Sequence, residues 1–538
     1  MISEMAQQHF IGVDVGTGSA RAGVFDANGR QLGVGKYDIK LFQEAGGFAE
    51  QSSEDIWAAV CRSVRQAVSE AGVAPESIAG IGFDATCSLV VLGEGGRPVS
   101  VSASGERDRN IIVWMDHRAR EQAARINRGG HAVLRYVGGS ISPEMQTPKL
   151  LWLKEQMPKS FESAWQFFDL PDFLSWRATG SLARSICTLT CKWTYLAHEQ
   201  RWDAEYFRAI GLGVLADEGF ARIGTYIVAA GTPLAGGLLP EAAAELGLVP
   251  GVPVAAGLID AHAGGLGTVG AKDGSGSVER RMAYVFGTSA CTMTSTAEPA
   301  FVDGVWGPYF SAMVPGFWLS EGGQSAAGAA IEQLVRFHPA AAEAETRARA
   351  EGLGLVAWLS RTAAERLKQS DVPALVGGLH VVPEFLGNRA PFADPEARAM
   401  VAGLGMERGL DSLVGLYVAG VASLGYGVRQ ILQASRRQGI AIDEIVVSGG
   451  AAQSPLVRQL LADSTGIHVS APEAEEPVLL GSAILGAVAS ARYTDAAAAM
   501  AAMSHIAERY QPSAATRAWH DKRFAAFETL QGAGRQIR

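Results

Sequence analysis

The chain has 538 residues, 48% hydrophobic and 19% charged, with a formal net charge of −9. A charged fraction below the usual ~25% fits large buried cores and excludes a disordered chain, and this length suits two large domains or three ordinary ones. The acidic balance and the lack of a long basic run argue against a nucleic-acid partner, and no uninterrupted apolar run reaches the ~18 residues of a membrane span.

The first predicted elements lie in Phe10–Asp26. Ile11, Val13 and Val15 alternate with small or polar residues, which predicts a strand buried on one face. Gly16, Thr17, Gly18 and Ser19 make a tight turn, and a second strand resumes at Ala22–Phe25 before the turn at Ala27-Asn28-Gly29. The glycine-rich loop therefore joins two antiparallel strands. A P-loop or Rossmann turn would lead into a helix instead. A hairpin turn with free backbone N–H groups and hydroxyls can hold phosphate oxygens, and Asp14, at the strand end, is placed to hold a metal ion.

A third strand is expected within 9–40, then a helix over Glu54–Ala71 and strands at Ile78–Phe83 and Leu89–Leu92. Asp116–Ile126, Thr147–Lys154 and Leu170–Thr179 read as helices, with Pro171 early in the last. Val252–Ala256 reads as a buried strand ending at Gly257. Residues 263–280 are rich in Gly and Ser, which suggests a domain boundary and a hinge. The GxGxxG at Gly265–Gly270 starts too far beyond the strand for a dinucleotide fingerprint, so close helix packing or a hinge is the better reading.

The second half repeats the plan. Met282–Met293 is a strand, the turn Gly287-Thr288-Ser289, and another strand. Helices are expected at Ser325–Phe337 and Leu410–Gln438, the latter capped by Gly439. Strand Ile442–Val447, helix Pro455–Ser464, strand Ile467–Ser470, helix Val478–Ser490 and a helical tail Thr516–Gln531 follow. Gly449 and Gly450, between a strand end and a helix capped by Ser454, would let a flat ring approach the backbone. Strands and helices alternate in both halves, as in an α/β protein. Two such hairpins half a chain apart suggest two similar domains closing on one nucleotide.

The five cysteines, Cys61, Cys87, Cys187, Cys191 and Cys291, are widely spaced without a CxxC. They fit a reduced, cytoplasmic protein with buried free thiols. Cys187 and Cys191 could share a helix face, but two thiols do not make a zinc site. Met1–Gln8 carries no Lys or Arg and does not read as a signal peptide.

The chain resembles the FGGY carbohydrate kinases. The matching stretches are Gly12–Thr17, Trp114–Ala119, Pro148–Lys154, Gly257–Gly264, Phe286–Ser289, Glu321–Ala326 and Ser448–Ala451, in the family's order. The resemblance implies a two-domain, actin-like ATPase (ribonuclease H-like) α/β fold with its site in the interdomain cleft. It divides the chain into 9–268, with the first hairpin, the sugar site and the catalytic base, and 269–538, with the second hairpin and the adenosine site. It implies ATP and Mg²⁺ as cofactors and assigns roles. Asp260 matches the base that accepts the proton of the attacking hydroxyl, although an Asp at a helix start is ordinarily an N-cap. Asp14 matches the Mg²⁺ residue. Gly16, Thr17, Gly18, Ser19 and Arg21, with Gly287 and Thr288, match the phosphate turns; Gln324, Gly449, Gly450 and Ser454 match the nucleotide side. Lys192 and Glu321 match sugar contacts; without the resemblance they read as a surface lysine and a loop charge. Ala85, Thr86 and Cys87 lie in a loop whose Thr-Cys-Ser-Leu-Val is similar to the D-ribulose-specific subgroup, with L-ribulose, ribitol and xylulose as alternatives. A sugar-independent actin-like ATPase or a sugar sensor is the reading from a different class. The expected partners are the sugar and MgATP, and a homodimer is left open.

Overall fold

In the computed structural model, which describes residues 8–272 and 277–538, the alternating N-terminal residues form strand β1 (His9–Val15), antiparallel to β2 (Ser19–Phe25), which in turn pairs with β3 (Gln31–Asp38). Helix α1 (Ser53–Ala71) starts on a Ser52 cap and buries Ile56, Val60, Val64 and Ala67 in the core it shares with β1 and β2. Strand β4 (Ile78–Ala85) runs parallel to β1. The chain then builds a region containing the short helix α2 (Ile186–Lys192) before returning as β5 (Leu258–Ile259), parallel to β4, and passing directly into α3 (Asp260–Val269). The sheet order is β5-β4-β1-β2-β3. A separate sheet, antiparallel throughout, is made from Phe42–Glu44, Phe48–Gln51, Leu89–Leu92, Ile111–Ile112 and Gln166–Asp169.

The second half lays down β6 (Arg281–Phe286), β7 (Ala290–Thr296), β8 (Trp306–Phe310) and β9 (Trp318–Gln324), then α4 (Gly328–Arg336) and the long α5 (Leu410–Arg437). It ends with β10 (Glu444–Ser448), α6 (Pro455–Thr465), β11 (His468–Pro472), α7 (Pro477–Ala489) and β12 (Ile506–Tyr510). The second sheet has the order β8-β9-β7-β6-β10-β11-β12. Its central strands β9-β7-β6-β10-β11 repeat the directions of β3-β2-β1-β4-β5. Helix α5 is long and apolar enough to cross a membrane, but most of that apolar stretch is buried in the core of this half.

The two halves are locked by a crossing of small residues. Helix α7, late in the chain, lies on β1 and β4 of the first sheet. A Cβ on Gly12 would sit 1.9 Å from Leu479 O, and one on Gly82 would sit 2.0 Å from Ser482 O. Helix α3 crosses α7 as closely, a Cβ on Gly267 falling 2.1 Å from Pro477 O. The Gly265–Gly270 motif is therefore helix packing, as one of its two readings expected.

Some boundaries differ from expectation. The helix foreseen from Asp116 begins at Arg120, because Asp116 turns back to bind Arg118 instead of opening a helix. Val252–Ala256 forms only isolated bridges, and the strand proper is β5. The supposed hinge in 263–280 is helical as far as Val269; Asp273–Gly276 lie outside the described residues.

Candidate active site

Strands β1, β4 and β5 end side by side. Asp14 pairs with Asp84 and Asp84 with Leu258; one step on, Val15, Ala85 and Ile259 are in register. Parallel strands put such neighbours on one face, so Asp14 and Asp84 are adjacent, with Asp260 just beyond at the start of α3. Asp260 is the first residue of the helix; Ile259 holds the cap position. Arg21, the cross-strand partner of Asp14, donates from Nε to Asp14 Oδ2 at 2.9 Å and also from Nη2, and its Nη1 reaches Glu476 Oε2 at 2.6 Å. Ser482 Oγ, from α7, donates to Asp84 Oδ2 at 2.5 Å, while the buried Asp84 Oδ1 has no hydrogen-bond partner among the described residues.

Burial and then the charge of Asp14 push the Asp84 pKa well up. The same two causes raise Asp260 to about 6, against the N–H of Ala261 and the charges of His262 and Lys192. Of these three carboxylates Arg21 pairs directly with Asp14, and among the described residues one oxygen of Asp84 is left without a hydrogen-bond partner. That is an oxygen-rich, electron-rich pocket of the kind a hard divalent cation such as Mg²⁺ fits.

The loop after β4 lies against this cluster. Thr86 N–H donates to Val15 O at 3.0 Å, Thr86 Oγ1 and Ser88 Oγ are 3.1 Å apart, and Cys87 O accepts from Gln146 Nε2 at 3.0 Å. Burial pushes the Cys87 thiol up to about 12. Lys192 ends α2 and Glu321 sits within β9, each under 10% exposed. They are neither a surface lysine nor a loop charge. Lys192 Nζ stands 5.1 Å from the centroid of Trp306, and Glu321 Oε2 lies 3.4 Å from His262 Nε2. Burial disfavours the Lys192 ammonium, yet the Cys87 sulfur and Glu321 hold its pKa well up. Burial likewise disfavours the Glu321 carboxylate, yet His262 and Lys192 hold it down at about 2. The site thus offers a fixed cation, a fixed anion and a titratable carboxylate, and the hydroxyl of Tyr309 is buried beside them with no partner.

The two hairpin turns close on their first glycine, the first turn being one residue longer than the second. Gly16 N–H donates to Ser19 O at 3.0 Å and Gly287 N–H to Ser289 O at 2.9 Å, so these two donors close their turns and are not free for a ligand. Thr17 Oγ1 accepts from Trp114 Nε1 at 2.9 Å, and Gln51 Nε2 donates to Thr17 O at 2.8 Å. Beside Trp114, the buried Asp116–Arg118–Glu50 ion cluster gives that sequence motif a positioning task. The second turn is fastened to the start of α4, Thr288 O accepting from Ala327 N–H at 2.9 Å. Gly18 and Gly450 face open space, with no atom within 4 Å of a Cβ on either. Gly449 differs: at φ +94° with Phe286 O 2.5 Å from its would-be Cβ, it is glycine for the strand end's own packing. Ser454 and Gln324 are committed within the protein. Ser454 caps α6 and bonds Ser360 Oγ at 2.7 Å, while Gln324 accepts from Tyr284 OH at 2.8 Å and donates to Leu424 O at 2.9 Å.

Residues 9–267 match the N-terminal domain of the FGGY family of carbohydrate kinases, and residues 282–490 match its C-terminal domain. The chain belongs to this family. An FGGY carbohydrate kinase domain-containing protein of Homo sapiens is 45% identical over 532 residues, 97% of this chain and 96% of that one. A D-ribulokinase of Saccharomyces cerevisiae is 39% identical over 513 residues, 89% of this chain and 72% of that one. Among solved structures, a ligand-bound xylulose kinase from Lactobacillus acidophilus superposes with a TM-score of 0.79 at 20% identity, covering 98% of both chains. A Plasmodium falciparum glycerol kinase with ADP gives 0.78 at 13% identity, again covering 98% of both chains. Identities this low establish the fold, which is the two-domain actin-like ATPase fold of the FGGY sugar kinases. Membership of the family makes the protein a carbohydrate kinase.

Sequence alone assigns no task to His262, Tyr309 or Arg389, and none to Asp84 beyond membership of the polar loop that follows the strand at Ile78–Phe83. For Asp84 the missed signal was an acid at the end of a predicted strand, as at Asp14. Arg389, whose charge helps hold Glu321 down and whose Nη1 lies 3.6 Å from Cys291 Sγ, is brought in by tertiary structure alone.

Proposed function

We propose that this FGGY kinase transfers the γ-phosphoryl group of ATP to the 5-hydroxyl of D-ribulose, with Asp260 as the general base. The observation that carries the reading is the convergence of Asp260, Lys192, Glu321 and the Thr86–Ser88 loop beside the ends of β1, β4 and β5. The resemblance to a D-ribulokinase at 39% identity supports the choice of sugar. Lys192 donates to sugar hydroxyls and Glu321 accepts from them, while the loop after β4 supplies further polar groups. So anchored, the sugar presents its terminal hydroxyl to Asp260, which takes the proton as the oxygen attacks phosphorus. A positioned base of this kind is worth typically ~10²–10⁴-fold. Asp14 and Asp84 would hold Mg²⁺, mainly through water, and the ion would offset charge on the phosphates. The turns at 16–19 and 287–289 hold the phosphate oxygens, and Gly449–Gly450 flank the adenosine. Phosphoryl transfer asks the protein chiefly for positioning and charge stabilisation, and closing around the sugar excludes water that would otherwise accept the phosphoryl group.

The test is kcat/KM for D-ribulose, L-ribulose, D-xylulose and ribitol under saturating MgATP. A misplaced hydroxyl leaves buried polar groups unpaired at ~1–3 kcal/mol each, so one or two such losses should favour D-ribulose by roughly ten-fold to several thousand-fold. If L-ribulose or ribitol is used more efficiently, the loop after β4 does not select D-ribulose.

A further inference from the structure

The carboxylate cluster has a neighbour of opposite chemical character. Cys187 and Cys191 stand one turn apart on α2, the i and i+4 positions that share a helix face. Two thiols alone make no metal site, but the fold supplies a third donor from α3. The sulfurs of Cys187 and Cys191 and a ring nitrogen of His262 lie within 4.8 Å of one another, and all three residues are buried. His262 Nδ1 is 3.1 Å from Cys187 Sγ, and the same sulfur accepts the backbone N–H of Ile259 at 3.4 Å. On the far side of the ring, Nε2 lies 3.4 Å from Glu321 Oε2.

This is the arrangement of a metal-ligating histidine, with one nitrogen toward the ion and the other donating its N–H to a carboxylate that fixes tautomer and orientation. Zinc bonds of ~2.3 Å to sulfur and ~2.0–2.1 Å to nitrogen place tetrahedral ligand atoms about 3.6–3.8 Å apart, so the three donors need shift by no more than roughly 1 Å. We propose that Cys187, Cys191 and His262 form a binding site for a zinc-class, thiophilic divalent cation, separate from the oxygen-lined Mg²⁺ pocket. Donor chemistry sorts the two ions, since Mg²⁺ demands oxygen and thiolates select the softer metal. On binding, the sulfurs ligate as thiolates and their protons leave to solvent. The site ties α2, which ends at Lys192, to α3, which begins at Asp260. An ion there fixes the sugar-anchoring lysine relative to the base and keeps His262 Nε2–H aimed at Glu321. That consequence rests on the kinase reading above; the metal site does not.

The full-length protein is produced in zinc-supplemented medium, desalted into chelator-free buffer with its thiols reduced, and assayed for metal by mass spectrometry. In parallel, Co²⁺ is loaded in place of zinc and the thiolate-to-cobalt charge-transfer absorption is recorded. The expected result is about one zinc per chain and a band of two-thiolate intensity, both lost in Cys191→Ala and in Cys187→Ala and both kept in Cys291→Ala. Two variants of the site guard against either one failing to fold. Wild-type protein without zinc and without the band overturns the proposal, as does a band that survives both substitutions on α2. Because metal content and spectrum need no sugar, a failed substrate panel would leave this result standing, and the reverse.

Discussion

The two halves share a fold and differ in what stands at their strand ends. In the first, the residue two before the turn glycine is Asp14, which pairs with Asp84 on the parallel strand and with Arg21 on the antiparallel one. In the second, Val285 holds that place and pairs with Ser448 and Cys291. Corresponding strand-end positions thus carry charged groups on one side and nearly neutral ones on the other. Under the proposed function the first half is the one equipped for cation and proton chemistry. The second presents hydroxyls and one open glycine, Gly450, which on the proposed reading suit a nucleotide already rich in negative charge. On the proposed reading, a repeated scaffold divides its tasks through the side chains at its strand ends.

The sharpest way to break this comparison is at Asp260. Asp260→Asn should leave sugar and ATP affinity within a few fold and lower kcat by ~10² or more, measured by steady-state kinetics on a variant shown to be folded. Next come the paired hairpins. Thr288→Val should raise the KM for ATP by roughly ten- to hundred-fold, the worth of one hydrogen bond to a charged group, with sugar binding little changed. Asp14→Ala should instead raise the Mg²⁺ concentration needed for half-maximal rate. Equal metal and nucleotide dependence in both variants would erase the proposed division.

A milder effect is expected from pH. Asp260 must be ionised to accept a proton, and burial with Asp14 raises its pKa to about 6. Activity should therefore fall as pH drops through that region, approaching ten-fold per unit below it. The Asn variant should lose this limb of the pH–rate profile. The smallest effect on the fold is expected at Gly18, where a methyl meets no protein atom within 4 Å. Gly18→Ala should move the unfolding free energy by less than ~1 kcal/mol while weakening ATP, whereas Gly267→Ala, 2.1 Å from Pro477 O, should not fold normally.

Both hairpins and most helices were legible because local patterns specify them: alternation at Ile11–Val15, helical spacing in Glu54–Ala71, a Ser-Pro start at 454–455. Asp14 is singled out by its place at a strand end and Asp260 by the family resemblance, and the fold brings the two close together. What escaped was created by packing between distant segments. β9 was not foreseen, since its Ser-Glu-Gly-Gly-Gln stretch carries no alternation, and Glu321 therefore looked like a loop charge. Nothing local ties Arg21 to Glu476 or Asp84 to Ser482 across hundreds of residues. The Cys187–Cys191 pair looked inert because its third partner, His262, arrives on another helix. Turn donors were overcounted at Gly16 and Gly287, where the hairpin consumes the N–H that sequence left free.

If the charged strand ends of the first half serve sugar-dependent phosphoryl transfer, ADP formation must follow the sugar. The most direct measurement is ADP formation from MgATP with and without D-ribulose, with the sugar product identified by phosphorus NMR. ADP release should depend strongly on the sugar, with one equivalent of D-ribulose 5-phosphate formed per ADP. ADP release that is indifferent to D-ribulose and to the other sugars, with no phosphorylated product, would contradict that role and favour a sugar-independent actin-like ATPase.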